Sequence, residues 1–200
     1  MLYIKFKIQD ASKYRDFQKL YDHMVMVRQP NFVIEDDEPP EFDWDHMTAQ
    51  ESEDAIETLL DYCERDKLDF MRFQKLIPNY ASVYLESYHK QDSNNVEPLS
   101  ESDSNAILNY LEYGFEVDLN KLQNPTKDLS IIEFSTGNFP FGGLERFLMT
   151  LKAFDLLPVE CFDGFSALRL DWTTEFEYDS TVLPEKKQGL FQKFRALIFR

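Results

Sequence analysis

Apolar and polar positions alternate from the start of the chain. Leu2, Ile4, Phe6 and Ile8 are set against Tyr3, Lys5 and Lys7, the period of a half-buried strand over Leu2–Ile8. The period then changes. Tyr14, Phe17, Tyr21 and Met24 recur at helical spacing and predict a helix from about Ser12 to Val27. Residues 29–47 hold three prolines and a cluster of acids, and read as a loop or an ordered crossing segment. Thr48-Ala49-Gln50-Glu51 is a capping box. It predicts a helix to about Glu64 with Ala55, Ile56, Leu59, Leu60 and Cys63 as its apolar face. A short helix over Asp66–Leu76, ended by Pro78, follows.

Along Asn79–His89, Ala81, Val83 and Leu85 alternate with Ser82, Tyr84 and Glu86, which predicts a strand. After a polar loop over 91–104, a helix from about Asp103 to Tyr113 is expected to close on Gly114 as its C-terminal cap. Phe115–Leu119 reads as a short strand and Asn124-Pro125 as a turn. Leu129–Ser135 is a strand, and a glycine-rich turn leads from it into a helix with Leu144, Phe147, Leu148, Leu151 and Phe154 on one face. Pro158 follows the end of that helix. Val159–Phe162 and Phe165–Trp172 flank Asp163-Gly164, a strong hairpin signal. These elements predict an α+β fold, a single domain over residues 1–184 with a mixed or mainly antiparallel sheet packed against several helices. Residues 185–200 read as an appended amphipathic helix, with Leu190, Phe191, Phe194, Leu197 and Ile198 on its apolar side.

Charge adds a second pattern. Between Glu35 and Asp66 there are fourteen carboxylates and a single strong base, Arg65, so most of the net charge of −16 falls in one stretch. The last fifteen residues carry five bases and no acid. They are expected to dock on the chain's own core or acidic belt rather than on a membrane. A net charge of this sign disfavours direct nucleic-acid binding, whose affinity rests on neutralising phosphates. No uncharged apolar run approaches the ~20 residues of a membrane span, and the N-terminus lacks the apolar block of a secretory signal. Cys63 and Cys161 read as buried free thiols. A cytoplasmic setting is the expectation.

Candidate chemistry is sparse. Gly137-x-x-x-x-Gly142 between a strand and a helix imitates a phosphate loop, but the Lys and Ser or Thr required next are replaced by Gly143 and Leu144. Glu145 adds a negative charge where an anion would have to sit. Nucleotide hydrolysis by this loop is therefore not expected. Gly137, Asn138, Gly142, Gly143 and Arg146 remain as candidates for a small-ligand or peptide pocket. Glu86-x-x-His89 has di-iron ligand spacing, but on a strand its two side chains point to opposite faces. Asp43-Trp44-Asp45-His46 lacks the glycine turn of a calcium loop. His23 reads as an ordinary, partly buried helix side chain. No catalytic residue, metal ligand or cofactor is assigned.

The helix expected over 48–64 carries Glu53, Glu57, Asp61 and Glu64 as one acidic stripe opposite its apolar face. In the loop before it, Phe42 and Trp44 alternate with acids. Aromatic anchors set in complementary charge have the composition of an interface hot spot. The leading expectation is therefore a non-catalytic, acidic protein-binding module. Its partner surface would comprise Glu35, Asp36, Asp37, Glu38, Glu41, Phe42, Asp43, Trp44, Asp45, Glu53, Glu57 and Asp61, and its partner would be a basic protein. An inhibitor or immunity-type protein is one form of this. The alternatives are a small-ligand binder or enzyme using the turn over 135–146, and a structural subunit that self-assembles through exposed aromatics.

Overall fold

Leu2–Ile8 (β1) lies at the centre of a six-stranded sheet in the computed structural model. The residues described are 1–33, 39–64, 68–90, 101–114, 118–137 and 143–184. On one side β1 pairs with Leu129–Ser135 (β3), and beyond that lies Asp118–Thr126 (β2). On the other side come Leu156–Phe162 (β4), Ala167–Trp172 (β5) and Tyr178–Val182 (β6). All five strand pairings are antiparallel. Because β3 and β4 both oppose β1, they run parallel to each other, and the helix between them must cross over β1.

The register decides which residues meet. Ile4 faces Ile132 and Cys161, and Leu2 faces Phe134, so one sheet face is apolar across its three central strands. Helices cover that face. Ala11–Val27 (α1) buries Tyr14, Phe17, Leu20, Tyr21 and Met24, while Leu144–Ala153 (α6) buries Phe147, Leu148 and Leu151. Phe17 meets Phe6 and Phe154 edge-on at 5.9 and 5.8 Å between ring centroids. The opposite sheet face is mixed, with Ile131, Leu129 and Phe162 paired to Lys5, Lys7 and Tyr3. There Lys5 reaches Glu160 at 2.8 Å, and Glu160 also accepts from the Tyr3 hydroxyl at 2.9 Å.

Four further helices follow the chain: Ala49–Glu64 (α2), Leu68–Leu76 (α3), Asn79–His89 (α4) and Glu101–Tyr113 (α5). None among the described residues is long and apolar enough to cross a membrane. The α+β class read from the sequence holds, with a wholly antiparallel sheet. Residues 185–200, including the expected amphipathic helix, lie outside the described residues.

Several local expectations are corrected. Asn79–His89 is a helix, not a strand: Ile77, Ala81 and Leu85 stand four residues apart and bury together, whereas Val83 is 52% exposed. Three alternating apolar residues fit both periods, and packing against α6 selects the helical one. Asn124-Pro125 lies inside β2, where the register shifts between Gln123 and Thr126 and tolerates a residue without an N–H. Pro158 likewise falls within β4, at the register shift opposite Phe6. Gly114 is not among the positive-φ glycines. Its lack of a side chain instead makes room for the Tyr110 ring, 3.1 Å from where a Cβ would stand. Tyr178–Val182, not anticipated as a strand, forms the outer edge beyond β5.

Candidate functional site

The capping box forms as expected. Glu51 N–H donates to the Thr48 hydroxyl at 3.3 Å, and the Thr48 N–H donates to the Glu51 carboxylate at 2.7 Å. That backbone hydrogen bond, aided by the Thr48 hydroxyl, holds the Glu51 carboxyl below the usual range. The helix it starts, α2, does not bury the face that its sequence pattern proposes. Ala55 is buried, but Ile56 is 50% and Leu60 56% exposed, and Cys63 is exposed too.

Ile56, Leu60 and Cys63 follow at four- and three-residue spacing, so they form one stripe along the helix. Glu53 stands three residues before Ile56, and Glu57 three before Leu60. Such positions are neighbours on a helix surface. The acidic stripe of Glu53, Glu57 and Asp61, all exposed, therefore runs alongside an exposed apolar stripe rather than opposite a buried one.

A single 3₁₀ turn, Trp44–His46, precedes α2. It presents Trp44 half-exposed, with the Phe42 ring against it at 5.5 Å and 61°. Glu41, Asp43 and Asp45 are all exposed around the pair. His46 Nδ1 lies 2.9 Å from both Asp43 carboxylate oxygens and fastens the turn. Glu35, Asp36, Asp37 and Glu38 lie outside the described residues, as do Asn138 and Gly142 of the glycine turn.

Gly137 and Gly143 both take left-handed conformations, with φ of 55° and 80°. Gly143 caps α6, its carbonyl accepts the Tyr110 hydroxyl at 2.8 Å, and a Cβ there would lie 2.8 Å from that oxygen. Arg146, one turn into α6, stacks its guanidinium on the Tyr110 ring at 5.2 Å. Burial pushes the Tyr110 hydroxyl well above its ordinary range, so it stays neutral. Beside this stack is a pit of about 130 Å³ lined by Leu85, Tyr88 and His89 of α4, Ala106 and Ile107 of α5, and Met149 and Thr150 of α6. His89 and Tyr88 were not anticipated here, because reading 79–89 as a strand hid the face they share on a helix.

A wider groove of about 540 Å³ lies between α1 and α3, with Met26, Met71 and Leu76 beside His23, Arg72 and Lys75. His23, partly buried in α1 as its sequence context suggests, bonds the fully buried carboxylate of Glu112 from the groove wall. Among the described residues, no three His, Cys, Asp or Glu side chains gather where they could hold a metal ion. The molecule thus offers an apolar and acidic stripe on α2, a small pit at α6, and a methionine-lined groove. No protein-family description, curated protein or solved structure matches this chain, so its surfaces must be read on their own chemistry.

Proposed function

We propose that this chain is a non-catalytic protein-binding module that presents α2 and the turn before it to a basic, amphipathic segment of a partner protein. The observation that carries this reading is the exposed Ile56–Leu60 stripe lying beside Glu53, Glu57 and Asp61. Apolar side chains on an amphipathic helix are ordinarily buried in the core, and a stripe kept outside is what a docking helix needs. The acids alongside select the sign of the partner and speed its approach, while the apolar residues and Trp44 slow its departure. An inhibitor that covers the basic surface of a nucleic-acid-binding protein is one biological form of this activity.

A designed helical peptide with a leucine stripe and flanking lysines is a direct probe. Replacing Glu53 and Glu57 with Gln and Asp61 with Asn is expected to lower the association rate and flatten its salt dependence. Ile56→Ser with Leu60→Ser is expected to raise the dissociation rate instead. Unchanged rates in both variants would remove the basis for the proposal. A second reading, a small-ligand binder at the turn over 135–146, draws its support from the pit beside Arg146.

A further inference from the structure

The described helices use one face of the sheet. Among the described residues, the hydrophobic core draws Leu2, Ile4, Phe6, Ile132, Phe134 and Cys161 from the three central strands, all on the side of α1 and α6. The other face carries apolar side chains as well. Ile131 and Phe162 stand there opposite Lys5 and Tyr3, and the Tyr3 and Phe162 rings stack at 6.1 Å and 14°. A groove of about 580 Å³ opens at the edge of this face, its walls including Tyr3, Phe162, Ala167, Val182, Leu183 and Pro184. Val182 is 64% exposed. Pro184 is also where the described part of the chain ends, so residues 185–200 begin at the groove wall.

We propose that residues 185–200 of the same chain dock on this face, laying Leu190, Phe191, Phe194, Leu197 and Ile198 over Tyr3, Phe162 and Ile131. In sequence those five apolar residues share one helical stripe. The reach fits. Residues 185–189 can extend over about 17 Å at most. Leu190–Ile198, wound as a helix, would measure about 13 Å, close to three strand spacings of about 4.8 Å. Three spacings lead from β5 across β4 and β1 to β3. The tether selects the occupant, because a joined segment meets the groove at an effective concentration in about the millimolar range, however dilute the protein. Charge does not select this face. Lys5, Lys7 and Arg169 lie on it together with Glu133, Glu160 and Asp171, so the contact is apolar and the five bases of the tail stay on or beside its solvent side.

This inference is independent of the α2 surface and is tested by NMR on the full chain with labelled isoleucine methyl groups. The Ile131 methyl is expected to show nuclear Overhauser contacts to the rings of Phe191 and Phe194, and residues 190–198 to show helical Cα shifts. Both should persist at about 0.5 M salt, where exposed charges are screened. Phe191→Ser with Phe194→Ser is expected to abolish the contacts, move the Ile131 methyl and return 190–198 to random-coil shifts. The Ile4 and Ile132 methyls, on the helix-covered face, should stay in place and report that the fold is kept. Ile131→Lys, made from the sheet side, should release the tail in the same way. The proposal fails if 190–198 has random-coil shifts in the parent protein, or if the double variant leaves the Ile131 methyl unmoved. It fails equally if salt abolishes the contacts, which would place the tail on an acidic surface. Contacts found only between labelled and unlabelled copies in a mixed sample would assign the face to a second molecule and overturn it too.

Discussion

His23 Nε2 lies 2.7 Å from Glu112 Oε1, joining α1 to α5 through a carboxylate with no exposed surface. Arg72 of α3 completes the contact with two bonds to the same carboxylate, at 2.6 and 3.1 Å. Three helices thus meet on one buried charge. Burial alone would raise the Glu112 pKa, but the bonds from His23 and Arg72 outweigh it and hold the group below the usual carboxylate range.

A depressed folded-state pKa means the stabilisation is present at neutral pH and is lost as pH falls through that value. Glu112→Gln is therefore expected to cost about 3 kcal/mol at neutral pH, as for one partner removed from a buried pair. Below about pH 4, where an ordinary glutamate protonates, the gap between variant and parent should narrow. Melting curves from pH 7 to pH 3 measure this, and a constant gap would show that the charge of Glu112 does not carry the loss.

On α2 the expected mutational response is unusual for an amphipathic helix. Ile56→Ser and Leu60→Ser should each change stability by no more than about 0.5 kcal/mol, the range of surface substitutions. Ala55→Leu, at a position 3% exposed, should cost about 1–3 kcal/mol by overpacking. Denaturant unfolding separates the two cases. A large loss at Leu60 would place that residue in the core.

The two cysteines should differ in reactivity. Cys161 is 1% exposed, and burial pushes its thiol up to about 11, so little of it is thiolate at neutral pH. Cys63 is exposed on the α2 stripe. A thiol reagent should label Cys63 in the native protein and Cys161 only on unfolding. A bound basic peptide should also protect Cys63, and rapid labelling of Cys63 in the saturated complex would argue against docking at α2.

At the cap of α6, Gly143→Ala meets both a left-handed backbone and a 2.8 Å approach to the Tyr110 hydroxyl. The backbone alone should cost about 1–2 kcal/mol. Tyr110→Phe removes the nearest atom, so the double variant should lose less than the two single losses added. Strict additivity in unfolding experiments would mean that the glycine is required only for its φ.

What the sequence by itself determined are the elements whose signal is local and repeated. Leu2–Ile8 alternates over seven residues, long enough that no helical period competes, and both it and Leu129–Ser135 are strands at the bounds read from the sequence. Thr48 and Glu51 are three residues apart and cap α2 through contacts within one turn. Asp163 accepts the N–H groups of Phe165 and Ser166 in the hairpin turn, again a contact within a few residues. The tertiary structure decided the rest. Val83 alternates correctly for a strand, yet α4 is helical because Ala81 and Leu85 bury against the other helices. Ile56 and Leu60 have the spacing of core residues and remain outside, since spacing specifies that a face is apolar and not what covers it. His23 and Glu112 are 89 residues apart, and Arg146 meets Tyr110 and lines one pit with His89 only where three helices converge. Local periodicity carries no information about such meetings, because they depend on how separately formed elements pack.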